Sequence, residues 1–80
     1  MSIRELDTVV LERDLPEHGL RRGDLGAVVH VYGDEAIDVE FVRLSGHTQA
    51  VVQLSLSDIR PVQDADLPAV RTADVRRGAA

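Results

Sequence analysis

Eighty residues allow one folding unit with a modest core and exclude a two-domain enzyme. Apolar residues make up 44% of the chain and charged ones 29%, enough hydrophobic matter to fold, while the absence of cysteine excludes a disulfide frame, a thiol nucleophile and a thiolate metal site. A formal net charge of −5 disfavours polyanionic partners.

The chain opens Met1-Ser2-Ile3-Arg4-Glu5-Leu6-Asp7, charged where a secretion signal needs an apolar run. No stretch approaches the roughly 20 apolar residues of a membrane span, so a soluble cytoplasmic protein is expected. Tyr32 and Phe41 are the only aromatics, and a core of Val, Leu and Ile points to pleated sheet more than to a helical bundle. Asp7 to Leu11 is a short apolar run, and residues 26–32, 37–44 and 49–56 alternate as half-buried strands do. Between them lie the long segment 14–24, then Gly33-Asp34-Glu35-Ala36, then Ser45-Gly46-His47-Thr48, all rich in turn residues. Ser57-Asp58-Ile59 reads as a single helical turn leading into a last strand, Arg60-Pro61-Val62, in which Pro61 must sit at an edge or a strand start. Short strands at this spacing with one extended early loop predict a mainly β fold, a small five-stranded barrel over residues 1–62. Residues 63–80, where acids and bases balance, form a C-terminal tail in which Leu67, Val70 and Val75 could build a short amphipathic helix.

The alternation also sets an expected register. With Val29 and Val31 on the buried face beside Val39 and Phe41, Val31 opposes Val39 and Val29 opposes Phe41. The hairpin loop is then Asp34 to Ala36, with Gly33 one place too early for the left-handed position. The next hairpin pairs Phe41 with Val52 and Val39 with Leu54. This register lays Val28, Val42 and Val51 side by side on the outer face, with His30, Glu40 and Gln53 as the next row and Tyr32 beside Asp38. A contiguous aliphatic row outside a barrel is the kind of patch that marks an interface, unless the protein's own tail covers it.

At Glu5-Leu6-Asp7-Thr8-Val9-Val10-Leu11, Asp14-Leu15-Pro16-Glu17-His18-Gly19-Leu20 and Gly23-Asp24-Leu25-Gly26-Ala27-Val28-Val29, the chain resembles a family of small bacterial proteins known only as domain of unknown function 4926. Asp38-Val39-Glu40-Phe41 and Leu56-Ser57-Asp58-Ile59-Arg60-Pro61-Val62 fit the same pattern, so the resemblance covers roughly residues 4–62. It implies an SH3-like barrel, because the Gly-Asp-x-Gly-x-Val-Val segment resembles the strand-opening turn of SH3-like and KOW-type barrels, and it implies no established activity. Independently of the family, Gly23 and Gly26 offer positive φ on either side of Asp24, whose carboxylate can hold nearby backbone amides, so substitution of Gly26 is expected to damage stability first.

Few residues suggest chemistry. His18, His30 and His47 lack metal-ligand spacing, and His30 facing Glu40 across the hairpin reads as a surface pair. Asp34, Glu35, Asp38 and Glu40 lack the ligand spacing and sharp glycine turn of a calcium loop and read as a solvated acidic rim. Ser45 and His47 share a tight turn with no pocket or third member. His18, Arg21 and Arg22 cluster in the first loop and are candidate partner contacts.

No cofactor and no metal are expected. The reading is a non-enzymatic protein-binding module whose partner surface is Val28, Val42, Val51, Tyr32, His30 and Glu40, with loop contacts from His18, Arg21 and Arg22. The partner is another protein to which this chain is accessory or neutralising, or a second copy. KOW-like RNA binding is the alternative, opposed by the charge, the lack of lysine and the scarcity of aromatic platforms. A further alternative is a β-type accessory subunit of a larger enzyme, since the small barrel of nitrile hydratase β-subunits is broadly similar in shape.

Overall fold

The computed structural model describes residues 2–73 and arranges five antiparallel strands in one sheet. The strands are β1 (Thr8–Leu11), β2 (Leu25–Tyr32), β3 (Ala36–Val42), β4 (Thr48–Ser55) and β5 (Ile59–Pro61), in the spatial order β4-β3-β2-β1-β5. The mainly β expectation therefore holds, and the short 3-10 turn Leu56–Asp58 precedes the last strand as the sequence indicated. Ser55 and Asp58 shape that turn as a reciprocal cap: Ser55 Oγ accepts from the Ser57 N–H (3.3 Å) and the Asp58 carboxylate accepts from the Ser55 N–H (3.1 Å).

The sheet is not closed into a barrel, because β4 and β5 lie at opposite edges and are not paired with each other. Both edges nevertheless feed one core: Val52 and Leu54 cluster with Ile59, together with Val9, Leu11, Val28, Ile37, Val39 and Phe41 from the strands between. In a flat sheet the edges would stand about 19 Å apart, beyond the reach of aliphatic side chains. The sheet must therefore curl around its inner face. The first loop closes the open side. Leu15 and Leu20 exchange backbone hydrogen bonds (2.9 and 3.1 Å) around the 3-10 turn Pro16–His18, and both leucines join the core. Gln49 Nε2 donates to the His18 carbonyl (3.1 Å), fastening the loop to β4.

The register differs from the expected one, and the reason is local. Val28 opposes Val39 while His30 opposes Asp38, so β2 carries one extra residue there, a β-bulge. Because side chains alternate with period two, one inserted residue reverses the faces of everything before it. On the hairpin side of the bulge the pairing is displaced by two residues, with Val31 opposite Ile37 in place of Val39, which changes no face; at and before the bulge Val28 turns inward, 0% exposed, while Val29 lies at the surface. The β3–β4 pairing is displaced by two residues, with Phe41 opposite Ala50 and Val39 opposite Val52, a shift that leaves the faces unchanged. The β2–β3 loop becomes Gly33-Asp34-Glu35, with Gly33 at φ +63°, so the glycine lies inside the loop, where a left-handed residue is needed.

Gly23 has the expected positive φ (+96°), but Gly26 does not. Gly26 lies on the inner face of β2, where a Cβ would overlap Val39 Cγ1 and stand 3.0 Å from Phe41 Cε1. Residues 63–73 form no helix, and Leu67 and Val70 are exposed; Val75 lies outside the described residues.

Candidate functional site

The outer face of the sheet divides into a covered half and an open half. In one row across three strands stand Arg60 of β5 and Val10 of β1 on the covered side and Leu25 of β2 at its border. Val10 is only 5% exposed although it does not belong to the core cluster, so something covers it from outside. The tail is anchored at two places near this row. Arg60 grips Asp66 with both terminal nitrogens (2.8 Å each), and Asp66 also accepts from the Gln63 N–H (2.7 Å). These contacts hold the Asp66 carboxyl at a pKa of about 2, below its ordinary 3.8, the Arg60 hydrogen bond contributing most. Further along, Arg71 forks onto Asp24, with Nε to Oδ1 at 2.9 Å and Nη2 to Oδ2, and Nη2 also donates to the Gly19 carbonyl (3.2 Å). The tail is thus fastened to β5 at one point and to the first loop and the start of β2 at the other. Asp24 performs the expected local task too, accepting from the Arg21 N–H (2.7 Å).

The open half carries the apolar patch. Val42 and Val51 point outward as expected, 51% and 54% exposed, but Val28 is core, and the row has to be corrected there. Leu25 takes its place. Ala27 opposes Glu40, and continuing that pairing sets Leu25 opposite Val42. Leu25 is 45% exposed, and Leu44, at the tip of the β3–β4 hairpin, 96%. Leu25, Val42, Leu44 and Val51 thus form the exposed aliphatic group. Glu40 stands opposite Val51 at its margin, its carboxylate accepting from Thr48 Oγ1 (2.6 Å).

A polar trio adjoins this patch on β2 and β3. His30 faces Asp38, not Glu40, because the β2–β3 hairpin closes with the pairing displaced by two residues from the expected one. Tyr32 donates its hydroxyl to Asp38 Oδ2 (2.6 Å), and the rings of His30 and Tyr32 meet edge to face, centroids 4.4 Å apart. The hydrogen bond to Asp38 raises the Tyr32 phenol pKa above its ordinary 10.0, with desolvation and the Asp38 charge adding to it. The trio lies on an open face with no enclosed cleft around it. Ser45 Oγ and His47 Nδ1 are 3.1 Å apart, but Ser45 Oγ also accepts from the His47 N–H, the pattern of a side chain shaping its own turn. A shallow, open depression bordered by Asp34, Glu35, Gln53 and Leu56 lies beside the β2–β3 hairpin. Among the described residues no group of histidine, aspartate and glutamate converges as a metal set.

The loop candidates lie elsewhere. His18 is half-buried and holds Gln49 through its carbonyl. Arg21 and Arg22 are exposed, and their backbone amides are fixed by Asp24 (2.7 Å) and Asp14 (2.8 Å). The loop folds over the inner side of the sheet, so the structure does not bring these residues to the apolar patch. Sequence reasoning missed Leu25 and Leu44 as patch members and Arg71 as the tail's anchor. For the leucines the signal was present in the strand pattern once the bulge is known. For Arg71, far along the chain from Asp24, the sequence contained none.

A family model described as Domain of unknown function (DUF4926) matches residues 5–61, which takes in all five strands and stops before the tail. No curated protein and no solved structure matches the chain.

Proposed function

Because the chain belongs to the DUF4926 family, whose model carries no activity, function has to be read from the chain's own surfaces, and we propose that it is a non-enzymatic module that binds another protein through the outer face of β3 and β4. One observation carries this reading: Leu25, Val42, Leu44 and Val51 are all exposed on or beside the outer face, while the neighbouring Val10 is buried. Exposed apolar clusters rimmed by polar residues mark protein contacts, and Glu40, Asp38 and Tyr32 supply such a rim. The acidic rim favours a partner with basic residues around an apolar centre. This assigns any chemistry to the partner and makes the chain its accessory or neutralising companion. RNA binding has less support, since the patch bears no basic side chain and the chain is net acidic.

The test is co-purification from the source cells with wild-type bait and with Val42→Asp and Val42→Asp/Val51→Asp baits, each shown to be folded by circular dichroism. A defined companion held by the wild type and lost from both variants supports the reading. A companion held equally by all three, or RNA bound at low salt and released at high salt, refutes it.

A further inference from the structure

The two edges of the sheet are guarded unequally. Strand edges are normally blunted by shortness, proline or charge. β5 has each of these: it is three residues long, contains Pro61, and its Arg60 is engaged by Asp66. β4 has none, being eight residues, Thr48–Ser55, without a charge or a proline.

Which backbone groups of β4 are open follows from one contact. The Leu56 N–H donates to the Glu35 carbonyl (3.2 Å), extending the β3–β4 register and making that opposed pair a hydrogen-bonded one. Alternation along the ladder then turns the amides of Leu54 and Val52 toward β3, and those of Val51, Gln53 and Ser55 toward the free edge. Ser55 agrees, since its N–H reaches the Asp58 carboxylate on that side (3.1 Å). At the other end Gln49 is tied to the first loop. The open stretch is therefore Val51 to Gln53, both exposed.

We infer that this stretch pairs with its equivalent in a second copy of the chain, antiparallel about a twofold axis at Val52, so that Val51 faces the partner's Gln53. Each such pair exchanges both backbone hydrogen bonds, and the two sheets become continuous. Charge selects this occupant. The open stretch is neutral in a chain of net −5, which lets two like-charged molecules approach there. The ends of β4 differ in charge: Asp34 and Glu35 lie beside the Ser55 end, whereas the Thr48 end has both signs, Glu40 held by Thr48 Oγ1 and Arg43 following Val42. Antiparallel pairing keeps the two acidic ends apart and sets each against the mixed end of the other copy. The contact is short, so the dimer is weak, with a dissociation constant on the order of 0.1 mM. The inference is independent of the outer-face reading, which concerns side chains on the face and not the strand's edge.

Sedimentation equilibrium on the full chain, from about 10 μM to about 1 mM, should show a monomer–dimer equilibrium. Gln53→Pro removes an outward N–H without touching the ladder to β3 and should leave only monomer. Should that variant fail to fold, amide exchange on the wild type decides: protection of Val51 and Gln53 should rise with protein concentration while that of Ser55, already bonded to Asp58, stays fixed. Monomer across the whole range, concentration-independent protection, or a dimer that survives Gln53→Pro but is lost in Val42→Asp would overturn the inference, the last by assigning self-association to the outer face.

Discussion

Gly26 is a glycine for want of room. A Cβ there would overlap Val39 Cγ1 and stand 3.0 and 3.1 Å from two ring carbons of Phe41, inside the roughly 3.5–4.0 Å of comfortable carbon contact. Neither neighbour can move aside, because Val39 and Phe41 are both buried in the cluster that joins the two sheet edges. Overpacking of a filled core costs about 1–3 kcal/mol. Removing a glycine also stiffens the unfolded chain, which offsets about 0.4–1 kcal/mol. Gly26→Ala should therefore lose about 1–2 kcal/mol, which at about 4–8 °C per kcal/mol for a chain of this size lowers the melting temperature by about 5–15 °C. Far-UV circular dichroism with heat and with urea is the suitable assay, since the chain has no tryptophan. A double-mutant cycle identifies the cause. Val39→Ala alone should cost about 2–3 kcal/mol for the cavity, but in the Gly26→Ala background it removes the clashing methyl and should cost at least about 1 kcal/mol less. Gly23→Ala is the contrast: it has open space but φ +96°, so its loss of about 1–2 kcal/mol should add to that of Val39→Ala without coupling. An additive Gly26–Val39 cycle, or a Gly26→Ala variant as stable as the wild type, would refute this account of the site.

Four further outcomes test other parts of the structure. Val28→Asp buries an unpaired charge and should unfold the domain, whereas Val42→Asp should change stability by less than about 1 kcal/mol; urea titration of both checks the corrected register. Arg71→Ala, which frees the tail from Asp24 and Gly19, should cost about 1–2 kcal/mol by the same assay, and Arg71→Lys, lacking the planar fork, should recover only part of it. The depressed Asp66 carboxyl makes its stabilising contribution above its ordinary pKa of 3.8 and loses it as pH falls toward about 2, so the difference in urea midpoint between wild type and Asp66→Ala should shrink over that interval and vanish below it. Tyr32 is the only tyrosine, so phenolate absorbance reports it alone: its midpoint should lie above 10.0 and fall back in Asp38→Asn.

The strands were legible because aliphatic alternation survives in each of them. Ile37, Val39 and Phe41 point inward against Val52 and Leu54, and an error of two residues in their pairing changed no face. The outer row was legible only in part, because a bulge leaves no mark in hydrophobicity. Val28, Val29 and Val31 are all β-branched, so nothing in their chemistry says which of them is the extra one, and placing it moves Val28 from the surface to the core. Gly26 was identified as sensitive for the wrong reason, since sequence displays the absence of a side chain but not the Val39 methyl that requires it. Leu15 and Leu20, flanking Pro16 and Gly19, could have been read as the two arms of a small closed turn. Their burial, though, depends on the sheet leaving a side open for them.

The tail connects these surfaces. The outer row runs from Arg60 through Val10 and Leu25 toward Val42, aliphatic at each position after the first. The family match ends at residue 61, before the tail begins. The residues that follow are anchored at two points, Asp66 on Arg60 and Arg71 on Asp24. These anchors are ion pairs of partly exposed side chains, each modest in strength, and neither reaches β3 or β4. The same segment engages Arg60 of the β5 edge strand, which also contains Pro61, and leaves β4 with both its outward valine and its edge amides open. With the tail's anchors confined to β5, the first loop and the start of β2, what remains for other molecules lies mainly on β3 and β4, where side chains offer an apolar face and the backbone offers an unpaired strand.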